Sequence, residues 1–288
     1  MSNPVLNVAA WFAQVLPASI KTSIYRLKPL ATFVRNLLNW VAPRGLSQVT
    51  IAAGGLKGSQ MILDMQSEKD YWLGTYEPGL QETIVEMARP GIVAYDLGAN
   101  IGYVTLLLAR KIGRDGKVFA FEALPANFAR MVKNVELNNL SSMVIPIEAA
   151  VVDSSRSIKF LVGPSGGMGK VEGSAGRQGY SYMDTINVRG IALDDFVYQE
   201  GNPAPQVVKI DIEGGEVLAF PGMSRVLLES RPLVLLELHG PVAAKIAWQA
   251  LNSAGYQICH MQPGYPAIPS WETLDWKSYV VAIPMELS

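Results

Sequence analysis

The sequence predicts an α/β fold, a parallel sheet covered by helices on both faces, and three observations predict it. Apolar runs and amphipathic stretches alternate along most of the chain. Several runs are apolar at nearly every position, as expected of strands buried on both faces. At 288 residues, 49% hydrophobic and 17% charged, the chain has the apolar surface for one such domain and an extension. Strands that alternate with helices pair in parallel, because each crossover helix returns the chain to the same end of the sheet.

The elements follow in order. Pro17, Pro29 and Pro43 divide the N-terminal segment into short helices. Residues 49–65 read as a β-hairpin that turns at Gly54-Gly55 or Lys57-Gly58. Residues 71–89 read as one helix, with Tyr76-Glu77-Pro78 near its start. Strands are then expected over 92–96, 117–122, 143–150, 207–211, 233–237, 256–261 and 278–283. Helices are expected over 104–112, over 126–137, where Phe128, Met131, Val132 and Val135 recur at helical spacing, and over 242–254. Residues 1–70 thus form an extension with a hairpin, and residues 71–288 the main domain.

Residues 153–192 break the alternation. Two strands, 157–162 and 185–191, flank Gly163, Gly166, Gly167, Gly169, Gly173, Gly176 and Gly179. So long and glycine-rich a loop is expected to be mobile, either as a surface excursion or as a lid over 163–182. Tyr180 and Tyr182 offer an aromatic wall for a substrate.

Charge and cysteine content exclude several classes. A net charge of −1 gives no case for nucleic acid as a partner. Cys259 is the single cysteine, so no internal disulfide forms and a cytoplasmic location is expected. With His239 and His260 as the only histidines, a Cys/His zinc cluster is excluded by count. Residues 1–63 contain no Asp or Glu but carry Lys21, Arg26, Lys28, Arg35, Arg44 and Lys57 among many aromatics. No run there reaches the roughly 20 apolar residues that span a bilayer, and no secretory signal is expected. The segment is read as a helical cap on the core or on a partner subunit in a homo-oligomer. Alternatively, residues 1–45 attach peripherally to the inner membrane surface.

Asp96-Leu97-Gly98-Ala99-Asn100-Ile101-Gly102 carries the functional signal. A strand that ends in a carboxylate and turns on glycines into a helix brings backbone N–H groups close to a ligand. The glycines are spaced G-x-x-x-G, unlike the G-x-G-x-x-G of nicotinamide-cofactor sites. Glu122 ends the next strand, where an acid can accept both hydroxyl protons of a ribose. Together they read as an adenosine-cofactor site.

These residues resemble the class I S-adenosylmethionine-dependent methyltransferases, and more narrowly the FkbM family. The resemblance is carried by Tyr76-Glu77-Pro78, Asp96 to Tyr103, Phe121-Glu122-Ala123-Leu124-Pro125, Leu193-Asp194-Asp195-Phe196, Lys209 to Glu216 and Leu236-Glu237-Leu238-His239. It covers about residues 70–285, with one departure at Ala123, where the family commonly has Pro. It implies a Rossmann-like seven-stranded sheet whose last strand is antiparallel. It implies methyl transfer to a hydroxyl of a small-molecule or glycan acceptor: a sugar, glycolipid or natural product. Gly98 and the Asn100 neighbourhood would face the methionine part, Glu122 the ribose, and Glu148 or Ala149 the adenine. Glu77, Gly102, Tyr103 and Ala123 lie in the same cofactor-binding motifs, and Asp96 acts through the turn or the cofactor's amino group.

Chemistry adds the reacting groups. Asp211, Glu213, Glu237 and His239 fall at the C-terminal ends of two strands, where open α/β sheets bind ligands. His239 is the expected proton acceptor because its unperturbed pKa lies near neutrality. Glu237 shares its face, and Asp211 orients cofactor or substrate. Asp211, Glu213 and His239 are alternatively a Mg²⁺ or Mn²⁺ site. Transfer to a nitrogen or a carboxylate is a competing activity, and a non-catalytic membrane-surface protein on the same fold is a competing class.

Overall fold

The computed structural model describes residues 40–163, 167–176, 179 and 181–286, together with Val8, Trp11, Phe12 and Thr32. The short helices expected before residue 40, most of the proposed membrane-facing segment 1–45, and Tyr180 lie outside the described residues. No helix among those described is long and apolar enough to cross a membrane.

The chain divides into two compact units at Pro78–Gly79. The first unit comprises Met1–Pro78 with Glu136–Asn138. In it, β1 (Leu46–Thr50) and β2 (Gln60–Asp64) form the expected antiparallel hairpin, with Leu46 opposite Asp64. The helix expected over 71–89 is broken. Helix α1 (Lys69–Leu73) stops at Gly74, and α2 (Pro78–Met87) starts afresh. Gly74 is left-handed at φ 67°, and a Cβ there would lie 2.0 Å from the Ala53 carbonyl oxygen. Only glycine can end α1 that close to the backbone of the hairpin loop.

The second unit runs on through β3 (Val93–Leu97), α3 (Tyr103–Ile112), β4 (Lys117–Glu122), α4 (Pro125–Leu137) and β5 (Val144–Glu148). Next come β6 (Ala150–Val151), β7 (Arg156–Val162), β8 (Lys170–Val171), β9 (Asp184–Ile191) and α5 (Leu193–Tyr198). It ends with β10 (Val207–Ile210), α6 (Glu216–Ala219), β11 (Leu233–His239), α7 (Pro241–Ser253), β12 (Tyr256–His260) and β13 (Lys277–Pro284). The main sheet has the order β12-β13-β11-β10-β3-β4-β5. Pairing is parallel from β11 through β10, β3 and β4 to β5, whereas β13 runs antiparallel to β11 and β12. The seven-stranded, mostly parallel sheet with an antiparallel last strand is as expected.

Alternation along the strands sends side chains to both faces. Tyr95 of β3 packs with Phe119 and Phe121 of β4 and Phe196 of α5, with ring centroids 5.1–5.8 Å apart. The same core takes in Ala243, Ala247 and Leu251 of α7. Ala94 and Asp96 point the other way, toward α3, all but two of whose ten residues are buried.

The run expected as one strand over 143–150 is two. The chain leaves the main sheet after Glu148, and β6 joins a second, four-stranded sheet of order β6-β9-β7-β8. Among the described residues of the glycine-rich segment, Lys170 and Val171 belong to that sheet. Its strand β8 pairs with β7, and Ala175 donates its N–H to Gly214 O at 2.9 Å.

Candidate active site

The turn between β3 and α3 is built by close backbone contact. Gly98 has φ 75°, and a Cβ there would sit 1.9 Å from the Asp211 carbonyl oxygen. Gly102 has φ 88° and faces Met131 of α4. The expected bare N–H groups are largely taken within the protein. Gly98 and Ala99 both donate to Phe121 O, Asn100 donates to Glu122 Oε2 at 2.8 Å, and Gly102 donates to Ala99 O. The turn therefore offers close approach more than free donors.

Asp96 is buried beneath this turn. Its Oδ2 accepts the Thr105 hydroxyl at 2.6 Å, and its Oδ1 lies 3.1 Å from Lys209 Nζ. Lys209 also donates to Gly98 O at 2.9 Å. These contacts tie Asp96 to the turn through Lys209 and to α3 through Thr105. Tyr103 is also buried, and burial pushes its phenol well above the usual range against a hydrogen bond from Gln81.

Glu122 ends β4 with each oxygen holding one backbone N–H, Asn100 on Oε2 and Leu124 on Oε1. Burial raises it to about 7, over the opposing pull of those two hydrogen bonds. Ala123 follows it, buried. Glu148 pairs in register with Glu122 and is exposed, while the Ala149 N–H goes to Glu122 O at 3.1 Å. Glu77 belongs to the first unit, with φ 40° just ahead of α2.

The second half of the site lies at the ends of β10 and β11. Strand β10 stops one residue short of the expected Asp211, which turns out of the sheet with its N–H on Leu97 O. Strand β11 runs two residues longer than expected, so Glu237 and His239 do share a face. His239 is 2% exposed. Its Nε2 lies 2.9 Å from Glu237 Oε1, 3.8 Å from Glu213 Oε2 and 3.9 Å from Asp211 Oδ1, and its Nδ1 lies 3.1 Å from Glu216 Oε1.

Both ring nitrogens thus face carboxylate oxygens, which only accept, and the form that satisfies them is the imidazolium. Burial opposes that charge. Hydrogen bonds to Glu216 and Glu237 and the charge of Asp211 outweigh it, raising His239 to about 10. His239 is thus held above the near-neutral value expected from the sequence. Asp211 takes its place in pKa: burial and the Glu237 charge push it up to about 7, against Lys209 and His239. It is also open to the site, with 18% of its side chain exposed.

Asp211, Glu237 and His239 bring one ligand atom each to within 4.8 Å of one another, so Glu237 rather than Glu213 completes the trio. Lys277 Nζ, however, already sits 2.5 Å from Glu237 Oε1. Sequence reasoning placed Lys209 and Glu216 in a family motif without a role and missed Lys277. A lysine inside the buried strand β10 was the available signal, since a buried cation requires a partner. Lys277 reaches the site through the antiparallel pairing of β13 with β11, which leaves no local pattern.

This sheet order, a glycine turn after β3, an acid closing β4 and an acidic cluster after β10 and β11 define a class I methyltransferase. Residues 96–258 match the Methyltransferase FkbM domain, and the chain belongs to that family. Among curated proteins it is similar to Hexuronic acid methyltransferase AglP of Haloferax volcanii, 28% identical over 224 residues, 77% of this chain and 88% of that protein. Among solved structures it is similar to Methyltransferase FkbM from Methylobacillus flagellatus KT, with TM-score 0.42 and 17% identity. That match covers 76% of this chain and 53% of the other, so the chain spans about half its length. A putative rRNA-methylase from Clostridium thermocellum matches with TM-score 0.45 and 12% identity, over 72% of this chain and 94% of the other.

Proposed function

We propose that the protein transfers a methyl group from S-adenosylmethionine to a hydroxyl of a sugar acceptor, with Asp211 as proton acceptor. The carrying observation is Asp211 itself: raised to about 7, partly open, and with its backbone against the glycine turn. The similar AglP protein acts on a hexuronic acid by name, which supports a sugar as the acceptor class.

The residues fit the cofactor. Each Glu122 oxygen holds one N–H and keeps acceptor capacity for a ribose hydroxyl. When bound, the sulfonium supplies an activated methyl group, so catalysis reduces to in-line positioning and removal of one proton. With the cofactor bound, Asp211 would take the proton of the acceptor hydroxyl while the hydroxyl oxygen bonds to the methyl carbon and the carbon–sulfur bond breaks, leaving the cofactor as a neutral thioether. His239, held as a cation between Glu216 and Glu237, keeps the neighbouring carboxylates together and fixes where Asp211 stands. Mg²⁺ does not fit this donor set. Glu237 Oε1 already has an ammonium at 2.5 Å and an imidazole nitrogen at 2.9 Å, so positive charge is seated where the ion would go.

The test is radiolabelled methyl transfer to a panel of sugars. Asp211→Asn is expected to lower kcat by about 10²–10⁴-fold while retaining cofactor affinity. Full turnover by this variant would remove Asp211 as the base. A labelled product that releases its methyl group in mild alkali would be an ester, and would overturn the hydroxyl as acceptor.

A further inference from the structure

Resting on the assignment of a sugar acceptor, we infer that Trp276 and Lys277 form its subsite and that the acceptor is a sugar acid. The indole takes the C–H face of the pyranose ring, and the ammonium takes its carboxylate.

Topology delivers these two residues to the site. The parallel strands end at the ligand edge of the sheet. Strand β13 runs against β11, so its first residue arrives at that same edge. Lys277 stands opposite His239 in the register, and Trp276 immediately precedes it.

Trp276 is held in place from two sides. Its carbonyl accepts the Gly240 N–H at 2.6 Å, and its ring centroid lies 6.0 Å from that of His239 at 76°. Gly240 has φ 94°, and a Cβ there would come within 3.3 Å of the indole Nε1, so glycine gives the ring its place against the chain. Even so, the residue remains 40% exposed. A large aromatic held by its neighbours and still open to solvent is a preformed contact surface that loses little entropy on binding. Sugar C–H groups carry slight positive charge and meet the negative face of such a ring.

Lys277 supplies the charge selection. Asp211, Glu213, Glu216 and Glu237 surround His239, and an anionic acceptor entering such a cluster meets repulsion unless a cation receives it. Lys209 and His239 are buried within the cluster, whereas the Lys277 side chain is 42% exposed and stands at the rim. An ammonium has three donors, so a bond to Glu237 and one to a ligand carboxylate are compatible. Three contacts connect it to the proton acceptor: Lys277 Nζ to Glu237 Oε1 at 2.5 Å, on to His239 Nε2 at 2.9 Å, and on to Asp211 Oδ1 at 3.9 Å. The inferred pose sets the carboxylate at the lysine and a hydroxyl at Asp211.

The experiment compares methyl transfer to 4-nitrophenyl β-glucuronide and 4-nitrophenyl β-glucoside, with calorimetric S-adenosylhomocysteine affinity as the control for folding. The wild-type protein is expected to prefer the glucuronide. Lys277→Met should lower that preference about ten-fold or more, and Lys277→Arg should restore most of it. Trp276→Ala should raise KM for both acceptors about ten-fold with a smaller effect on kcat, and Trp276→Phe should recover part of the loss. An unchanged preference in Lys277→Met, an unchanged KM in Trp276→Ala, or a wild-type preference for the glucoside overturns the subsite alone. Cofactor binding without transfer to either sugar overturns the sugar assignment, and the subsite with it.

Discussion

Lys209 Nζ lies 3.1 Å from Asp96 Oδ1, with both side chains buried beneath the glycine turn. The two residues are register partners across β10 and β3. With Thr105 on the other Asp96 oxygen and Gly98 O on the lysine, they tie two strands, a helix and the turn together. Removing one member leaves the other charge buried and alone, which costs about 3–5 kcal/mol. Lys209→Met should therefore lower the thermal midpoint by several degrees, and Asp96→Asn combined with it should cost less than the two single changes added. A double-mutant cycle by thermal denaturation checks this, and strict additivity would show that the pair is not coupled.

Glu122 gives the protein a pH dependence of definite sign. Burial raises it from 4.5 to about 7, with Asp96 adding to the rise, while Leu124, Asn100 and Lys209 oppose it. A carboxyl raised on folding contributes stability that is complete below pH 4.5 and is lost as pH rises through about 7. Cofactor binding has the opposite sign, because ribose hydroxyls donate to the ionised carboxylate. Affinity for S-adenosylhomocysteine should thus rise with pH, with a midpoint near 7 set by this group. Calorimetry on the wild type and Glu122→Gln checks this: the variant should bind about ten-fold more weakly above the midpoint and show a flattened profile. A flat wild-type profile would take Glu122 out of the ribose contact.

The strands of the main sheet were legible because buried parallel strands are written as short apolar runs, and β4 falls where its run does. Residues 143–150 misled for the same reason. Ile147 and Ala150 are apolar on either side of the point where the chain changes sheets, so hydrophobicity carries no mark of the bend. Gly74 was the readable sign that 71–89 is broken. At the site, the acids and His239 were visible as types at strand ends. The protonation of His239 was not, because it depends on Glu216, 23 residues earlier, meeting Nδ1. Lys277 lies still farther along and joins only because β13 runs backwards.

The glycine-rich segment makes contacts that fit a lid. Ala175 donates to Gly214 O at 2.9 Å, and a Cβ on Gly176 would lie 2.2 Å from Glu213 O. A Cβ on Gly167 would lie 3.7 Å from Asn100 Nδ2. The segment therefore touches the turn after β3 and the turn after β10, which flank the proposed reacting centre. Gly176→Val places a branched side chain where only backbone fits, so the segment can no longer rest on Glu213 and Gly214. Water then enters, and the reacting groups lose their alignment. Turnover is expected to fall by about ten- to a hundred-fold, with faster release of S-adenosylhomocysteine. The thermal midpoint should change little, because the contact is local to the loop and lies outside the main core. Stopped-flow release and steady-state turnover on the variant decide the point. Normal turnover with normal release would mean that the docked segment is packing and not a lid.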